Sequence, residues 1–150
     1  MNVSIETGDP RDPAATALLR ASHALMQELF PAESNHYLSI DALCRADIQF
    51  FVARVDQDIK GCGALKLGDG YGELKSMFVH PSARGLGIAH RLLDHIETKA
   101  RAHPVACLRL ETGVLLQDAH RLYRRHGFSE RDAFADYPDD PNSLFMEKML

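Results

Sequence analysis

The chain has 150 residues, a length that fits one compact domain with a core between a sheet and several helices. Its hydrophobic content of 45% and charged content of 25% are those of an ordinary globular protein. The formal net charge of -4 argues against nucleic acid as a partner, because binding to a phosphate backbone depends on clustered Lys and Arg. No linker composition interrupts the chain, so we predict a single domain over residues 1–150.

The N-terminal residues and the cysteines favour a cytoplasmic protein with no membrane attachment. Residues 1–6 lack the basic and then apolar pattern of a signal peptide, and no apolar stretch approaches the roughly 18 residues that span a bilayer. Cys44, Cys62 and Cys107 are odd in number and widely spaced among apolar neighbours. This pattern is typical of buried free thiols rather than of a disulfide framework or a metal site.

The first half of the chain predicts two helices followed by a strand hairpin. Asp12 and Pro13 supply a helix cap with proline in the first turn, and Pro31 stops the helical pattern that follows. Ser39 is placed to cap a second, shorter helix. The strands predicted in this half are Val3–Thr7, Ile48–Val55 and 59–67, with a polar turn at 56–58.

A β-α-β crossover is predicted in the middle of the chain. The strand 73–79 leads to an amphipathic helix that starts near Gly87 and ends before Pro104. A strand at 105–111 follows this helix. Two strands joined by such a crossover are expected to run parallel, with a right-handed connection.

The remainder of the chain completes a sheet of six or seven strands. Ala119, Leu122 and Tyr123 share one face of a further helix, and Gly127 closes it where a left-handed residue is needed. The last predicted strands are Ser129–Arg131 and 144–148. The predicted fold class is therefore α+β, with helices layered on a mixed, mainly antiparallel sheet around the central crossover.

The strongest local signal for chemistry is the turn Arg84-Gly85-Leu86-Gly87-Ile88-Ala89, between a predicted strand and a predicted helix. Glycine lets the backbone turn tightly, so that amide N–H groups and the positive end of the helix dipole point at one phosphate. The spacing excludes a Walker A loop and a dinucleotide fingerprint, which need Gly-Lys-Ser/Thr and a third glycine respectively. Taken alone, the turn indicates either an anion site or a simple strand-to-helix connection.

Three segments together resemble the GNAT family of N-acetyltransferases. The turn matches the family's Arg/Gln-x-x-Gly-x-Gly/Ala signature, 73–81 resembles its fourth strand with Val-x-Pro, and 119–128 matches its Ala-x-x-Leu-Tyr-x-x-x-Gly-Phe motif. The resemblance implies the acyl-CoA N-acyltransferase fold, with acetyl-CoA as co-substrate and no metal. It further implies direct transfer of the acetyl group to the primary amine of a small molecule or a peptide.

The same resemblance assigns residues to the coenzyme A site. It implies a pantetheine arm between two splayed parallel strands, with main-chain contacts from Met77, Phe78 and Val79. The residues implied at the diphosphate are Arg84, Gly85, Leu86, Gly87, Ile88 and Ala89. Gln117 and Ala119 are the remaining predicted cofactor contacts. Leu116 departs from the family's usual Asn, and we expect the adjacent Gln117 to replace that amide.

Two residues are predicted to be catalytic. Tyr123 stands where the family commonly has a tyrosine that protonates the departing thiolate, a role that suits a weak acid. Glu73 matches the position of a general base that would deprotonate the acceptor ammonium if burial raised the pKa of its carboxyl group. Glu111, His80 and a chain of waters compete for the role of base. Plain packing of Tyr123 on its helix and a solvated position for Glu73 are the structural alternatives.

Other functions and partners follow less directly from the residues. The histidine pairs 90/95 and 120/126 lack the i,i+4 spacing of a helical metal site. The first two helices and the acidic segment 134–143 are expected to select the acceptor, together with the polar stretch 33–37. A non-catalytic acyl-CoA-binding module or sensor is the main alternative function, and the presence of Tyr123 argues against it. Association into a homodimer is left open.

Overall fold

The structure, a computed structural model, describes residues 2–150. The order of its strands and helices is β-α-α-β-β-β-α-β-α-β-β, as predicted. The strands are β1 Val3–Thr7, β2 Ile48–Val55, β3 Asp58–Leu67, β4 Tyr71–Val79, β5 Cys107–Gly113, β6 Ser129–Arg131 and β7 Ser143–Met149. The helices are α1 Pro13–Leu29, α2 Ile40–Leu43, α3 Ile88–Arg101 and α4 Gln117–Arg125, and short 3₁₀ turns lie at Ala32–Ser34 and Pro81–Ala83.

Local chemistry fixes the starts of the first two helices as predicted. The Asp12 side chain accepts a hydrogen bond from the Ala14 N–H at 3.0 Å, and proline occupies the first turn of α1. The Ser39 hydroxyl accepts from the Ala42 N–H at 3.1 Å and caps α2. Each cap satisfies one backbone donor that the first turn of a helix leaves without an intrahelical partner.

Four strands differ from their predicted limits: β3 starts one residue earlier, β7 is one residue longer at each end, and β4 and β5 differ by two residues. The prediction started β4 at residue 73, but Tyr71 and Gly72 already pair with Cys107 and Leu108 of β5. The prediction also placed β5 two residues too early, since it runs from Cys107 to Gly113. Gly113 pairs with Ser143 of β7, so a neighbouring strand holds a residue whose own strand preference is weak.

The sheet has seven strands in the order β1-β2-β3-β4-β5-β7-β6. β4 and β5 form its parallel pair, as the crossover through α3 predicts, and the other neighbours are antiparallel. Apolar side chains cover both faces. Alternate residues of β2 enter two different clusters, with Phe51 and Ala53 against α3, and Phe50 and Val52 against α1. The molecule is therefore layered helix, sheet, helix. Within residues 2–150, no helix combines the length and apolar character needed to cross a membrane.

The parallel pair separates before either of its strands ends. Paired Cα positions run from Tyr71 and Cys107 to Leu74 and Leu110, after which β4 continues to Val79 and β5 to Gly113. Ser76 has a φ of 57°, and the register of β4 against β3 shifts beside it, which marks a β-bulge. The bulge turns β4 away from β5 and opens a cleft between the two strands.

We expect Gly113→Ala to lower the free energy of unfolding by about 1–3 kcal/mol, the usual cost of overpacking a core. A Cβ at this position would overlap the ring of Phe30, the residue that follows α1. Phe30→Leu removes the ring atoms that clash and should restore most of the loss in the double variant. Urea unfolding of both single variants and the double variant measures the coupling. If the losses in free energy of unfolding of the two single variants simply added in the double variant, the predicted clash between a Cβ at position 113 and the Phe30 ring would be contradicted.

Candidate active site

A cavity of about 750 Å³ opens where β4 and β5 separate. Its walls come from these two strands, from α1 and the segment 34–37, and from the first turns of α3 and α4. The predicted site residues that line it are Met77, Phe78, Val79, Arg84, Gly85, Gly87, Ile88, Ala89, Gln117, Ala119 and Tyr123. Leu86 and Glu73 lie outside this lining. The crossover and the later helix thus bring most of the predicted residues to one cleft.

The glycine turn forms the end of the cavity at α3. Gly85 and Gly87 have φ values of 81° and 77°, a conformation that side chains disfavour. Nothing lies within 4 Å of the Cβ position at either residue, so the space above the turn is open. Gly87 caps α3 without a side-chain hydrogen bond, which leaves the first N–H groups of this helix available. An anion bound here would accept hydrogen bonds from those N–H groups, and the positive end of the helix dipole would stabilise its charge.

The separated strands offer a second set of free backbone groups. Beyond Leu74, the side of β4 that faces β5 has no ladder partner. An exposed strand edge pairs readily with another extended chain that carries amide groups. The pantetheine arm of coenzyme A is such a chain, and its diphosphate would reach the glycine turn. The residues of the cleft therefore fit coenzyme A at both points.

Tyr123 projects from α4 into a closely packed part of the cavity. It is buried, and its ring centroid lies 5.8 Å from that of Phe128 in an edge-on arrangement. Burial raises the pKa of the Tyr123 hydroxyl above its ordinary value, and the charge of Glu111 raises it further. The hydroxyl is thus held in its protonated form and is able to donate.

Glu111 lines the cavity from β5, and it is the less exposed of the two carboxylates in the lining, since Asp118 is 94% exposed. The Ser143 hydroxyl donates to it at 2.6 Å. Burial raises the pKa of Glu111, and the hydrogen bond from Ser143 opposes this effect, as do the neighbouring His36 and Lys75. A raised carboxylate pKa is what a general base near neutral pH requires.

Glu73, the base predicted from the sequence, lies behind the cavity wall. It is buried, with the Tyr137 hydroxyl donating to its carboxylate at 2.5 Å and Lys75 Nζ 3.4 Å away. His80, another candidate, has its Nδ1 2.7 Å from the Ser82 hydroxyl and is outside the cavity lining. The structure thus brings Glu111 and Tyr123 together in the cleft, while Glu73 belongs to a separate buried group.

Sequence reasoning missed that group, which joins Glu73 to Lys75 and Tyr137. Lys75 Nζ donates to the Tyr137 hydroxyl at 2.7 Å and to the His36 carbonyl at 3.1 Å. Glu73 and Lys75 are two positions apart on β4, and side chains at this spacing in a strand lie on the same face. Their spacing therefore indicates that the two charges are neighbours. No spacing indicates Tyr137, which lies 62 residues beyond Lys75 in the chain.

The acceptor side of the cavity differs in part from the prediction. α1 lines the cavity, but α2 and the acidic segment 134–143 do not. This segment instead supports the wall from behind, because Asp140 accepts a hydrogen bond from Ser34 at 2.6 Å. In the polar stretch 33–37, residues Ser34, Asn35, His36 and Tyr37 reach the cavity.

The thiols and histidines offer no other chemistry at this site. Burial raises the pKa of Cys62 to about 12, and burial also raises that of Cys107, so both are poor nucleophiles. Neither residue lines the cavity. Residues 2–150 contain no group of three or more His, Cys, Asp or Glu side chains arranged to hold a metal ion.

A mixed sheet that splays at its parallel pair, above a glycine turn at a helix N-terminus, defines the acyl-CoA N-acyltransferase fold. The family model described as the Acetyltransferase (GNAT) family matches residues 16–128. The chain belongs to this family, as the sequence resemblance predicted.

Similar proteins support the assignment over the full length. A protein of Azospirillum brasilense named IAA acetyltransferase is 46% identical over 151 residues, covering 99% of each chain. A crystal structure described as an acyl-CoA N-acyltransferase from Klebsiella pneumoniae has a TM-score of 0.83 and 35% identity, over 99% of this chain and 97% of that one. The N-acetyltransferase PaiA of Thermoplasma acidophilum, crystallised with coenzyme A, shares the fold with a TM-score of 0.77 at 19% identity, over 100% of both chains.

We expect Gly87→Glu to weaken coenzyme A binding by about 100-fold or more, the equivalent of ~2.7 kcal/mol. The new carboxylate would stand at the helix N-terminus where the diphosphate is expected, and like charges repel there. Isothermal titration with coenzyme A measures the effect.

The matched control for this variant is Gly70→Glu. Gly70 has a φ of 79° and open space at its Cβ position, so the substitution introduces the same backbone strain and charge away from the cleft. It should lose comparable thermal stability and keep its affinity for coenzyme A. Equal affinities of the two folded variants would show that the glycine turn does not hold the cofactor.

Proposed function

We propose that this protein transfers an acetyl group from acetyl-CoA to a primary amine of a small molecule or peptide. The observation that carries the proposal is the placement of Glu111 and Tyr123 in the cleft between the separated ends of β4 and β5. The family assignment and the coenzyme A bound to the similarly folded PaiA protein support coenzyme A as the acyl carrier. Release of free thiol from acetyl-CoA in the presence of an amine tests the activity.

Glu111 serves as the general base in this proposal. The acceptor enters as an ammonium ion, whose nitrogen has no lone pair for attack until one proton leaves. A carboxylate with a raised pKa takes that proton more readily than an ordinary one. Glu73 is less suited, because Tyr137 and Lys75 already bind its carboxylate.

Backbone groups and Tyr123 assist the exchange of bonds at the acetyl group. Backbone N–H groups of β4 beyond Leu74, where the ladder with β5 ends, would stabilise negative charge that develops on the carbonyl oxygen. The amine nitrogen bonds to the carbonyl carbon as the carbon–sulfur bond breaks, and the Tyr123 hydroxyl gives its proton to the sulfur. The nitrogen sheds its second excess proton, and tyrosine regains one from solvent, so that the overall reaction releases one proton.

Direct attack fits this site better than a covalent enzyme intermediate. A two-step transfer needs an activated nucleophile in the cleft. The buried thiols Cys62 and Cys107 lie outside the cavity lining and have raised pKa values. The protein's part is therefore to position the two substrates and to stabilise charge.

Glu111→Gln is expected to lower kcat/KM for the amine by about 10²–10⁴-fold, the usual contribution of a general base. The amide keeps the shape of the side chain but cannot accept a proton at neutral pH. Coenzyme A affinity serves as the control and should be unchanged. If Glu111→Gln retained full activity while Glu73→Gln lost it, the base would be Glu73.

Ser143→Ala should move the acidic limb of the pH–rate profile to higher pH. The Ser143 hydroxyl stabilises the ionised form of Glu111 and so lowers its pKa; without this bond the pKa rises further. Because the base works only when ionised, activity would then be lost at a higher pH on acidification. Measuring kcat/KM between pH 5 and 9 tests this expectation, and an unchanged profile would argue against Glu111 as the titrating base.

Tyr123→Phe is expected to reduce kcat by about 10²-fold or more, within the range for a general acid, while coenzyme A still binds. The substitution keeps the buried ring and its contact with Phe128, so the fold should be retained. Single-turnover kinetics, with binding measured separately, isolates the chemical step. An unchanged rate would identify Tyr123 as a packing residue only.

A further inference from the structure

We infer that the acceptor is a primary amine on an apolar carbon skeleton that carries no carboxylate or phosphate of its own. This inference rests on the proposed function and deepens it by defining the substrate class. It depends on the side of the cavity lined by α1 and the segment 34–37, called the acceptor wall below. The question is which charged side chains there already have an oppositely charged partner within the protein, and which polar atoms lack a hydrogen-bond partner.

The body of the acceptor would lie against an apolar wall. Leu25, Met26 and Phe30 line the cavity from α1 and the residue that follows it. Tyr37 continues this wall, with its ring stacked on that of His23 at 4.0 Å between centroids. A skeleton of carbon atoms is stabilised on such a surface by burial of apolar area.

Among the described residues, Lys75 is the one Lys or Arg on this side of the cavity, and its charge is already neutralised. Lys75 is 9% exposed, and its ammonium has three neighbouring acceptors: the Tyr137 hydroxyl at 2.7 Å, the His36 carbonyl at 3.1 Å and the Glu73 carboxylate at 3.4 Å. An ammonium has three N–H donors, so none is left over for a ligand. The other cationic side chains of the cavity wall, Arg84 and Arg125, lie at the glycine turn and at the end of α4.

The free polar atoms of the wall suit an ammonium ion. Within residues 2–150, Asn35 Oδ1 is buried without a hydrogen-bond partner, and its amide nitrogen is directed to the Phe30 carbonyl at 3.4 Å. This oxygen can only accept, as can the ionised Glu111 carboxylate. A buried acceptor without a donor is unfavourable, and a rotation of the Asn35 side chain, which lines the cavity, would bring this oxygen to the N–H groups of the substrate.

A carboxylate or phosphate on the acceptor molecule would be unfavourable at this wall. It would lose its hydration while facing Glu111, and among residues 2–150 no unpaired Lys or Arg side chain lines that side of the cavity to compensate. Discrimination would therefore arise from the cost of desolvating the anion rather than from a steric clash.

Matched pairs of acceptors test the inference in the full-length protein. Phenethylamine is compared with phenylalanine, and isoamylamine with leucine, by thiol release from acetyl-CoA at pH 8, where ordinary imidazoles are uncharged. Each amine should exceed its carboxylated partner by about 100-fold or more in kcat/KM. Equal or better turnover of the amino acids would overturn the inference but leave the proposed function standing. No thiol release with any member of either pair would overturn the inference alone, because the proposed function also allows the amine of a peptide.

Removing the partner of Lys75 provides a second test. Glu73→Gln leaves the ammonium uncompensated, so the ratio of amine to amino acid should fall by about 10-fold as the pocket gains a free positive charge. Tyr137→Phe is the control, because it removes the two hydrogen bonds of this hydroxyl, to Glu73 and from Lys75, but keeps the Glu73 carboxylate that balances the ammonium charge. Its ratio should stay near that of the unmodified protein. A ratio that does not move in Glu73→Gln, with folding verified by circular dichroism, would contradict the charge argument.

Discussion

The active cleft depends on one interruption in hydrogen bonding, the end of the β4–β5 ladder after Leu74 and Leu110. The left-handed Ser76 and the bulge around it turn β4 away from its neighbour. Backbone groups that lose a ladder partner in a protein interior are costly unless something else binds them. The same interruption therefore creates the space and supplies the polar edge that an extended amide-containing ligand would use.

Packing on both faces of the sheet holds this opening in place. Ile88, Leu92 and Ile96 bury one face of α3 against the sheet, which directs the N-terminus of the helix toward the cleft. On the other face, α1 packs through Leu18 and Leu19 and brings its last turns over the acceptor end. The two ends of the cleft are thus built from opposite layers of the molecule, and they meet where the strands separate.

Two carboxylates near the cleft, Glu73 buried and Glu111 half-buried, have different environments and hence different chemistry. Glu73 is compensated by Lys75 and by the Tyr137 hydroxyl, so it is a fixed member of a polar network. Glu111 has a single hydroxyl partner and a pKa raised by burial, so it is the one that is able to exchange a proton. Environment rather than residue type assigns such roles, as in other enzymes with paired carboxyl groups.

The sequence by itself determined the order of the elements, the helix caps at Asp12 and Ser39, the parallel crossover and the glycine turn, because these depend on residues close together in the chain. Tertiary structure decided that β4 starts at Tyr71, that Glu111 rather than Glu73 faces the cleft, and that Tyr137 binds Lys75 across 62 positions. Residues distant in the sequence decide where a strand ends, which side chains are buried and which charges are compensated. A local sequence pattern does not indicate these long-range contacts.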